Sequence, residues 1–154
     1  MNILTYLHES VTHTYSSKFR YACESGDAET AQRLLNRVEQ EDLCYGFADA
    51  SENGHVKVVK LLLADERVDP TTGENWAIRL ACKNDHVEVV RILLEDPRVD
   101  PKARNSYAIR WACMHDHVEV VKMLLQDPRV DASYAMSFNP IIQELLAQWK
   151  YYPR

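Results

Sequence analysis

The chain has 154 residues, a formal net charge of −5 and a hydrophobic share of 46%. That share is ordinary for a folded domain and excludes a disordered chain, and the acidic balance disfavours a protein that binds the nucleic-acid backbone. No apolar run approaches the roughly 18 residues of a membrane-spanning helix, and no secretory signal is visible. Four cysteines in such a chain indicate reduced thiols. We therefore expect an intracellular protein of the cytosol or the nucleus.

The N-terminal segment predicts a short capping helix. Leu4, Leu7 and Val11 recur at intervals of three and four residues, which is typical of one face of a helix. A helix is expected over residues 2–9, followed by a loop. Its apolar face would cover the open edge of the first repeat, because end repeats need a cover.

One motif then recurs with a period of 31 residues. Its register is fixed by His55, His86 and His117, each followed by Val-x-Val-Val, and a fainter copy begins at Phe19. A constant period in this range is typical of stacked supersecondary units. We expect a single domain, 1–154, with repeats over residues 18–42, 43–72, 73–103 and 104–134, an N-terminal cap over 1–17 and a C-terminal cap over 135–154.

Each repeat is predicted to contain two helices. In the third repeat, Asn75 is placed to cap a first helix over residues 76–84. A second helix is expected from His86 or Val87 to Glu95, with a wide apolar face and a narrow polar stripe, as suits a helix packed between two neighbours. Residues 70–74 and 101–105 are expected to form loops or tight fingers.

A closing helix is predicted over residues 140–150. Asn139 suits the cap and Pro140 suits the first helical position. Apolar residues follow at helical spacing, namely Ile142, Leu145, Leu146 and Trp149.

The segment from Ala50 to Leu63, Ala-Ser-Glu-Asn-Gly-His-Val-Lys-Val-Val-Lys-Leu-Leu-Leu, resembles the core of an ankyrin repeat. The pattern recurs in the next two repeats, and the resemblance covers residues 19–132. The variant Asn-x-Ala-Ile-Arg followed by Asp-Pro-Arg-Val-Asp-Pro is similar to arrays found in giant amoeba-infecting viruses and in some protists. The resemblance implies an all-α solenoid of about four helix–turn–helix units between two capping helices.

Two departures from the ankyrin pattern concern the backbone and the turn. The usual Thr-Pro-Leu-His turn reads Trp-Ala-Ile-Arg, ending at Arg79, and Tyr-Ala-Ile-Arg, ending at Arg110. The usual glycine before the histidine is Asp85 or Asp116 in two repeats. Glycine adopts positive φ freely, and aspartate does so at some cost.

The resemblance implies a non-enzymatic module without a cofactor that holds another protein on its concave face. Family contacts lie on the turns and on the exposed ends of the first helices, which matches Glu52, Asn53, Lys83, Asn84, Met114 and His115, with Thr72, Asn75, Arg104 and Ser106 on the turns. Arg79 and Arg110 are expected beside the same face, unless they are solvated or paired with carboxylates. No nucleic-acid or membrane partner is expected. The variation between repeats at these positions also fits plain solvent exposure.

The alternative function is a structural or self-associating protein that uses its capping ends. Trp149, Tyr151 and Tyr152 would then form an interface between copies. In the first reading the protein is a monomer.

Three repeated residue types allow a chemical reading and a structural one. The histidine column suggests a metal site, but equivalent atoms of stacked helices lie roughly 8–10 Å apart, so a role at the helix start is favoured. The same spacing favours buried packing over disulfide or zinc chemistry for Cys23, Cys82 and Cys113, whereas Cys44 stands outside that column and could be exposed and reactive. The remaining type is the loop arginine, which suggests an anion grip or ion pairs within and between loops, at Arg67, Arg98 and Arg129.

Overall fold

The computed structural model describes the backbone of residues 3–151 and the side chains of residues 13–151. Every regular element in this range is helical: α1 (Ile3–Ser25), α2 (Ala28–Leu34) with a 3-10 turn (Leu35–Arg37), α3 (Gln40–Glu52), α4 (Val56–Leu63), α5 (Thr72–Lys83), α6 (Val87–Glu95), α7 (Ala103–Met114), α8 (Val118–Gln126) and α9 (Pro140–Tyr151). The prediction of an all-α repeat fold is confirmed.

The chain divides into two compact units, Met1–Asp69 and Pro70–Arg154. In the first unit, α1 packs against α2 and α3, and α4 packs against α2 and α3. In the second unit, α5 packs against α6 and α7, and α8 packs against α6, α7 and α9. Each unit thus holds two successive helix pairs, in which the first helices (α1 and α3; α5 and α7) pack on each other.

The second helices begin directly after the repeated histidine. His55, His86 and His117 occupy the residue that precedes α4, α6 and α8. Nε2 of His55 donates to the carbonyl oxygen of Glu24 at 2.7 Å, and Nε2 of His117 donates to the carbonyl oxygen of Lys83 at 2.9 Å. Both carbonyls lie near the end of the preceding first helix, where the last carbonyls lack a partner within the helix. The histidine therefore ties consecutive repeats together inside each unit.

The core is built from the apolar positions that the helical period predicts. Each second helix buries the same positions, as the side chains that are at most 1% exposed show: Val58, Val59, Leu62, Val89, Val90, Leu93, Val120, Val121 and Leu124. Burying one such side chain contributes about 1.5–3 kcal/mol. On the opposite side of α6, Glu88 and Arg91 are exposed and form an ion pair. The predicted wide apolar face and narrow polar stripe are both present.

The N-terminal helix is longer than predicted. The expected helix over residues 2–9 followed by a loop is wrong, because α1 runs without a break from Ile3 to Ser25. No proline or glycine interrupts this segment, and the first glycine, Gly26, follows the helix at φ 80°. The side chains of Leu4, Leu7 and Val11, and hence their capping role, lie outside the described residues.

A left-handed turn opens α5 and α7, where loops or tight fingers were expected. Gly73, Glu74 and Asn75 have φ values of 62°, 57° and 59°, and residues 104–106 repeat this conformation. The amide of Asn75 donates to the carbonyl oxygen of Thr71 at 2.8 Å, which closes the turn. Three successive residues with positive φ are costly outside glycine, so these hydrogen bonds offset part of that cost.

The closing helix is found where the sequence predicts it. In α9, Oδ1 of Asn139 accepts a hydrogen bond from the amide of Ile141 at 3.0 Å, as expected of a capping residue. Ile142 is fully buried, and α9 packs on α8. Trp149 is half-buried and Tyr151 is exposed, whereas Tyr152 lies outside the described residues.

Candidate functional site

The first helices of the second unit each leave one side uncovered. In α7 the buried residues Ala108, Ile109, Ala112 and Cys113 share one side, because positions three and four apart lie on the same face. The opposite side of α5 and α7 is the first-helix face of the second unit. It consists of Trp76, Leu80, Lys83 and Asn84 from α5, and of Tyr107, Arg110, Trp111, Met114 and His115 from α7.

An aromatic row runs along this face on α7. The ring centroids of Tyr107 and Trp111 lie 5.3 Å apart, and those of Trp111 and His115 lie 4.9 Å apart in a stacked arrangement. His117 continues the series, with its ring centroid 5.8 Å from that of His115. The spacing of four residues places the three helical rings in line. The row of Tyr107, Trp111 and His115 is the most ordered feature of the face.

Lys83 and Arg79 of α5 hold their charges over this row. Nζ of Lys83 lies 5.4 Å from the ring centroid of Trp111, and Cζ of Arg79 lies 5.2 Å from that of Tyr107. Both distances are within the range of attraction between a cation and an aromatic face. These contacts join the α5 and α7 parts of the first-helix face.

Arg79 is not a free contact residue. Its side chain is only 8% exposed, and its guanidinium donates to the carbonyl oxygens of Glu74 at 3.0 Å and Gly73 at 2.8 Å. Desolvation by burial lowers the pKa of Arg79, and the charge of Arg104 adds to this effect. The expectation that Arg79 meets a partner is corrected: it binds the left-handed turn that precedes its own helix.

Asn75 and Ser106 are also corrected, because the left-handed turn directs both inward. They are 6% and 3% exposed, respectively. Oδ1 of Asn75 accepts a hydrogen bond from the amide of Asp100 at 2.7 Å, so Asn75 connects two loops rather than capping α5. Neither residue offers a side chain to a partner.

The two other turn residues are exposed. Thr72 lies on the surface, and Arg104 forms an ion pair with Glu74 at 2.8 Å. Exposed pairs of this kind contribute roughly 0–1 kcal/mol to stability. Both residues remain accessible at the edge of the first-helix face.

The candidate residues on the helices lie at or near the surface. Met114 is 65% exposed, Arg110 and His115 are exposed, and Lys83 and Asn84 are half-buried. The geometry therefore brings these five together on one face of the second unit.

The candidate residues of the first unit stand in a different environment. Asn53 is exposed, and its Nδ2 donates to the carbonyl oxygen of Asp49 at 2.8 Å, while Glu52 is half-buried. Arg20 pairs with Asp49 at 3.2 Å and lies over the ring of Tyr45. Partial burial raises the pKa of Asp49, although Arg20 acts against that shift. The first helices of this unit are therefore more acidic than the first-helix face of the second unit.

Sequence reasoning missed the aromatic members of the face. Trp76 and Tyr107 hold one repeat position, 31 residues apart, and Tyr107, Trp111 and His115 follow at intervals of four. These two periods together were the available signal. They place Trp76 and the aromatic row on the first-helix face.

The loop arginines serve the backbone. Arg67 pairs with Asp65 at 2.7 Å and also donates to the carbonyl oxygen of Leu35 at 3.0 Å. Its hydrogen bond holds the pKa of Asp65 below the usual value, and Arg98 does the same for Asp96. The expected pairs within the loops are present, while the contact of Arg67 with the preceding repeat is to a carbonyl oxygen rather than to an aspartate.

The buried thiols are poor nucleophiles. Burial raises the pKa of Cys23 and of Cys113 to about 12 and also raises the pKa of Cys82. Cys44 is half-buried. Over residues 13–151, no group of three or more histidine, cysteine, aspartate or glutamate side chains is arranged to hold a metal ion.

No helix in the part of the chain that the structure describes is both long enough and apolar enough to cross a membrane. A comparison with curated proteins finds no match. The family model described as ankyrin repeats (3 copies) matches residues 47–136, more than half of the chain. This match agrees with the paired helices and with the histidine that begins each second helix. The chain belongs to the ankyrin-repeat family.

Proposed function

We propose that the protein is an interaction module that binds a segment of another protein on the first-helix face of its second unit. Ankyrin repeats are general protein–protein interaction modules and are typically non-enzymatic. The observation that carries the proposal is the aromatic row, with Lys83 held above Trp111. Aromatic and cationic side chains are enriched among the residues that dominate binding energies at interfaces.

The mechanism is rigid display. The first helices are fixed by a buried core, so that Lys83 and the aromatic row meet a partner with little loss of conformational entropy. Met114, Asn84 and Arg110 would add contacts at the sides of the row. Thr72 and Arg104 would contribute at its edge, and Glu52 and Asn53 remain candidates on the first unit.

We infer no enzymatic role and no cofactor. The three thiols that recur in the repeats are buried, and a raised pKa disfavours the reactive thiolate. Four free cysteines also support a place of action in a reducing compartment, such as the cytosol or the nucleus.

The test is a pull-down from the source cell with a charge-altered pair of residues. Lys83→Glu combined with Met114→Glu removes one cation and one exposed apolar contact from the face. We expect the amount of captured partner to fall by at least about tenfold, because loss of central contacts at an interface costs more than 1 kcal/mol each.

The matched control is Lys57→Glu combined with Met136→Glu, which makes the same two changes at exposed positions away from the face. Circular dichroism should show both variants folded. A partner that the Lys83/Met114 variant captures as well as the wild type does would defeat the assignment.

A second candidate function is self-association through the C-terminal end. Phe138 stands 31 residues after Tyr107 and is fully exposed, and Arg110 is exposed where its counterpart Arg79 is buried. The last repeat thus lacks the cover that its predecessor receives. Further exposed apolar residues lie close by in sequence, namely Tyr134, Met136 and Ile141. Light scattering at two concentrations decides this candidate, since a monomer at both removes it.

A further inference from the structure

We propose that the segment bound by the first-helix face of the second unit is an acidic peptide with interspersed apolar residues. This inference rests on the proposed function and names the chemistry of its partner. It is carried by the charges and the unused hydrogen-bond donors of the face.

The face carries positive charge and no carboxylate. None of its nine residues is an aspartate or a glutamate, although the chain as a whole has a net charge of −5. Within the described part of the chain, the Lys83 ammonium and the Arg110 guanidinium form no ion pair with a carboxylate. Two cations are therefore available to a ligand on a face from which acidic groups are excluded.

The carboxylates nearest in sequence are engaged with other residues. Glu74 accepts from Arg104 at 2.8 Å, and Asp116 accepts a hydrogen bond from Ser137 at 3.2 Å. Asp85 lies 3.8 Å from Nδ1 of His117. These contacts leave Lys83 and Arg110 to attract negative charge from outside.

The polar groups along the aromatic row are donors without acceptors. Within residues 13–151, neither the indole N–H of Trp111 nor the hydroxyl of Tyr107 has a hydrogen-bond partner. An indole N–H only donates, and an ammonium only donates. A ligand that matches this face must supply acceptors, and a carboxylate accepts from cationic donors with the strongest hydrogen bonds.

The aromatic row also requires apolar groups in the ligand. Trp111 is half-buried between Tyr107 and His115, and Met114 beside it is 65% exposed. Aliphatic or aromatic side chains that cover these rings would bury apolar area at about 25 cal/mol per Å². A peptide in which acidic and apolar residues alternate satisfies both requirements.

The observations favour a peptide over single-stranded RNA, which also combines negative charge with stacking bases. Two available cations neutralise about two phosphates, whereas nucleic-acid binding at physiological salt draws on several such contacts. A net charge of −5 repels a continuous phosphate backbone and tolerates a short acidic peptide.

The experiment measures fluorescence anisotropy of labelled ligands with the full-length protein. The ligands are a short peptide of alternating Glu and Leu, the same peptide with Lys in place of Glu, and an oligouridine of similar length. We expect the Glu–Leu peptide to bind, the Lys–Leu peptide to bind at least about tenfold more weakly, and the affinity of the first to fall as salt rises.

The variant Lys83→Glu with Arg110→Glu should weaken binding of the Glu–Leu peptide by at least about tenfold. Lys57→Glu with Lys60→Glu, on the exposed side of α4, makes the same change in net charge and should leave binding unaltered. Equal loss in both variants would show that only the overall charge matters and would overturn the proposal.

The remaining outcomes separate this proposal from the proposed function. Equal binding of the Glu–Leu and Lys–Leu peptides, absence of binding to both, or tighter binding of oligouridine would overturn the acidic-peptide proposal. If the Lys83/Met114 variant still loses its partner in the pull-down, the proposed function stands with a partner of different chemistry. If the pull-down partner survives while the Glu–Leu peptide binds as expected, the proposed function fails at its own test.

Discussion

A single arginine in the fourth repeat supports the backbone of the third. The guanidinium of Arg129 donates to the carbonyl oxygens of Leu94 at 2.6 Å and Val99 at 2.8 Å, and pairs with Asp127 at 2.6 Å. Leu94 lies in the last turn of α6, where carbonyl groups lack partners within the helix. Arg129 thus caps a helix from the following repeat. The aspartate in the same loop fixes the direction of its side chain.

We predict that Arg129→Ala lowers the free energy of unfolding by about 1–3 kcal/mol, because it leaves helix-terminal carbonyls and Asp127 without a charged donor. Urea denaturation measures the change. Arg91→Ala is the matched control: Arg91 forms only an exposed pair with Glu88, and its loss should cost less than about 0.5 kcal/mol. Equal effects of the two substitutions would contradict the capping role.

Residue type alone predicted the partners of these arginines only in part. The Asp-x-Arg spacing correctly indicates the pair within each loop. Whether an arginine also reaches a carbonyl of the preceding repeat depends on how far the helices are stacked, which the spacing does not state. Arg79 shows the same limit, since its neighbours in sequence gave no sign that Gly73 and Glu74 would turn their carbonyls toward it.

At the scale of the element, each first helix ends in a residue with positive φ. Gly26 and Gly54 take this conformation in the first unit, and Asp85 and Asp116 take it in the second, at φ 61° and 60°. The sequence anticipated this, because both aspartates replace a glycine of the repeat pattern. Positive φ at these positions allows the chain to leave the helix and enter the second helix after one histidine.

We predict that Asp85→Gly is more stable than Asp85→Ala by about 1 kcal/mol, because glycine adopts positive φ without the steric cost that a Cβ imposes. Both substitutions remove the carboxylate near His117, so their difference isolates the backbone conformation. Thermal unfolding of the two variants under identical conditions measures that difference. An alanine variant as stable as the glycine variant would show that the strain is relieved elsewhere.

The left-handed turns before α5 and α7 were outside the reach of sequence patterns. Glu74, Asn75, Arg104 and Ser106 include no residue that demands positive φ, and three such residues in succession are uncommon. The turn depends on contacts that are distant in sequence, such as the hydrogen bond between Asn75 and Asp100. Helix boundaries, by contrast, followed from the period, the histidines and the Asn-Pro pair that opens α9.

At the scale of the whole molecule, charge is unevenly distributed between the first helices of the two units. An acidic chain keeps carboxylates off the first-helix face of the second unit and places Lys83 and Arg110 there. On the first helices of the first unit, Asp49 neutralises Arg20. Only the second unit therefore presents an aromatic and cationic surface, and we assign partner recognition to it.

The measurement that tests this assignment most directly is amide hydrogen exchange of the full chain, alone and saturated with the partner recovered by pull-down. The account predicts slower exchange in the bound state over residues 76–84 and 107–115, which carry the first-helix face. Slower exchange confined to residues 133–151 or to α6 and α8, with none in those two segments, would contradict it.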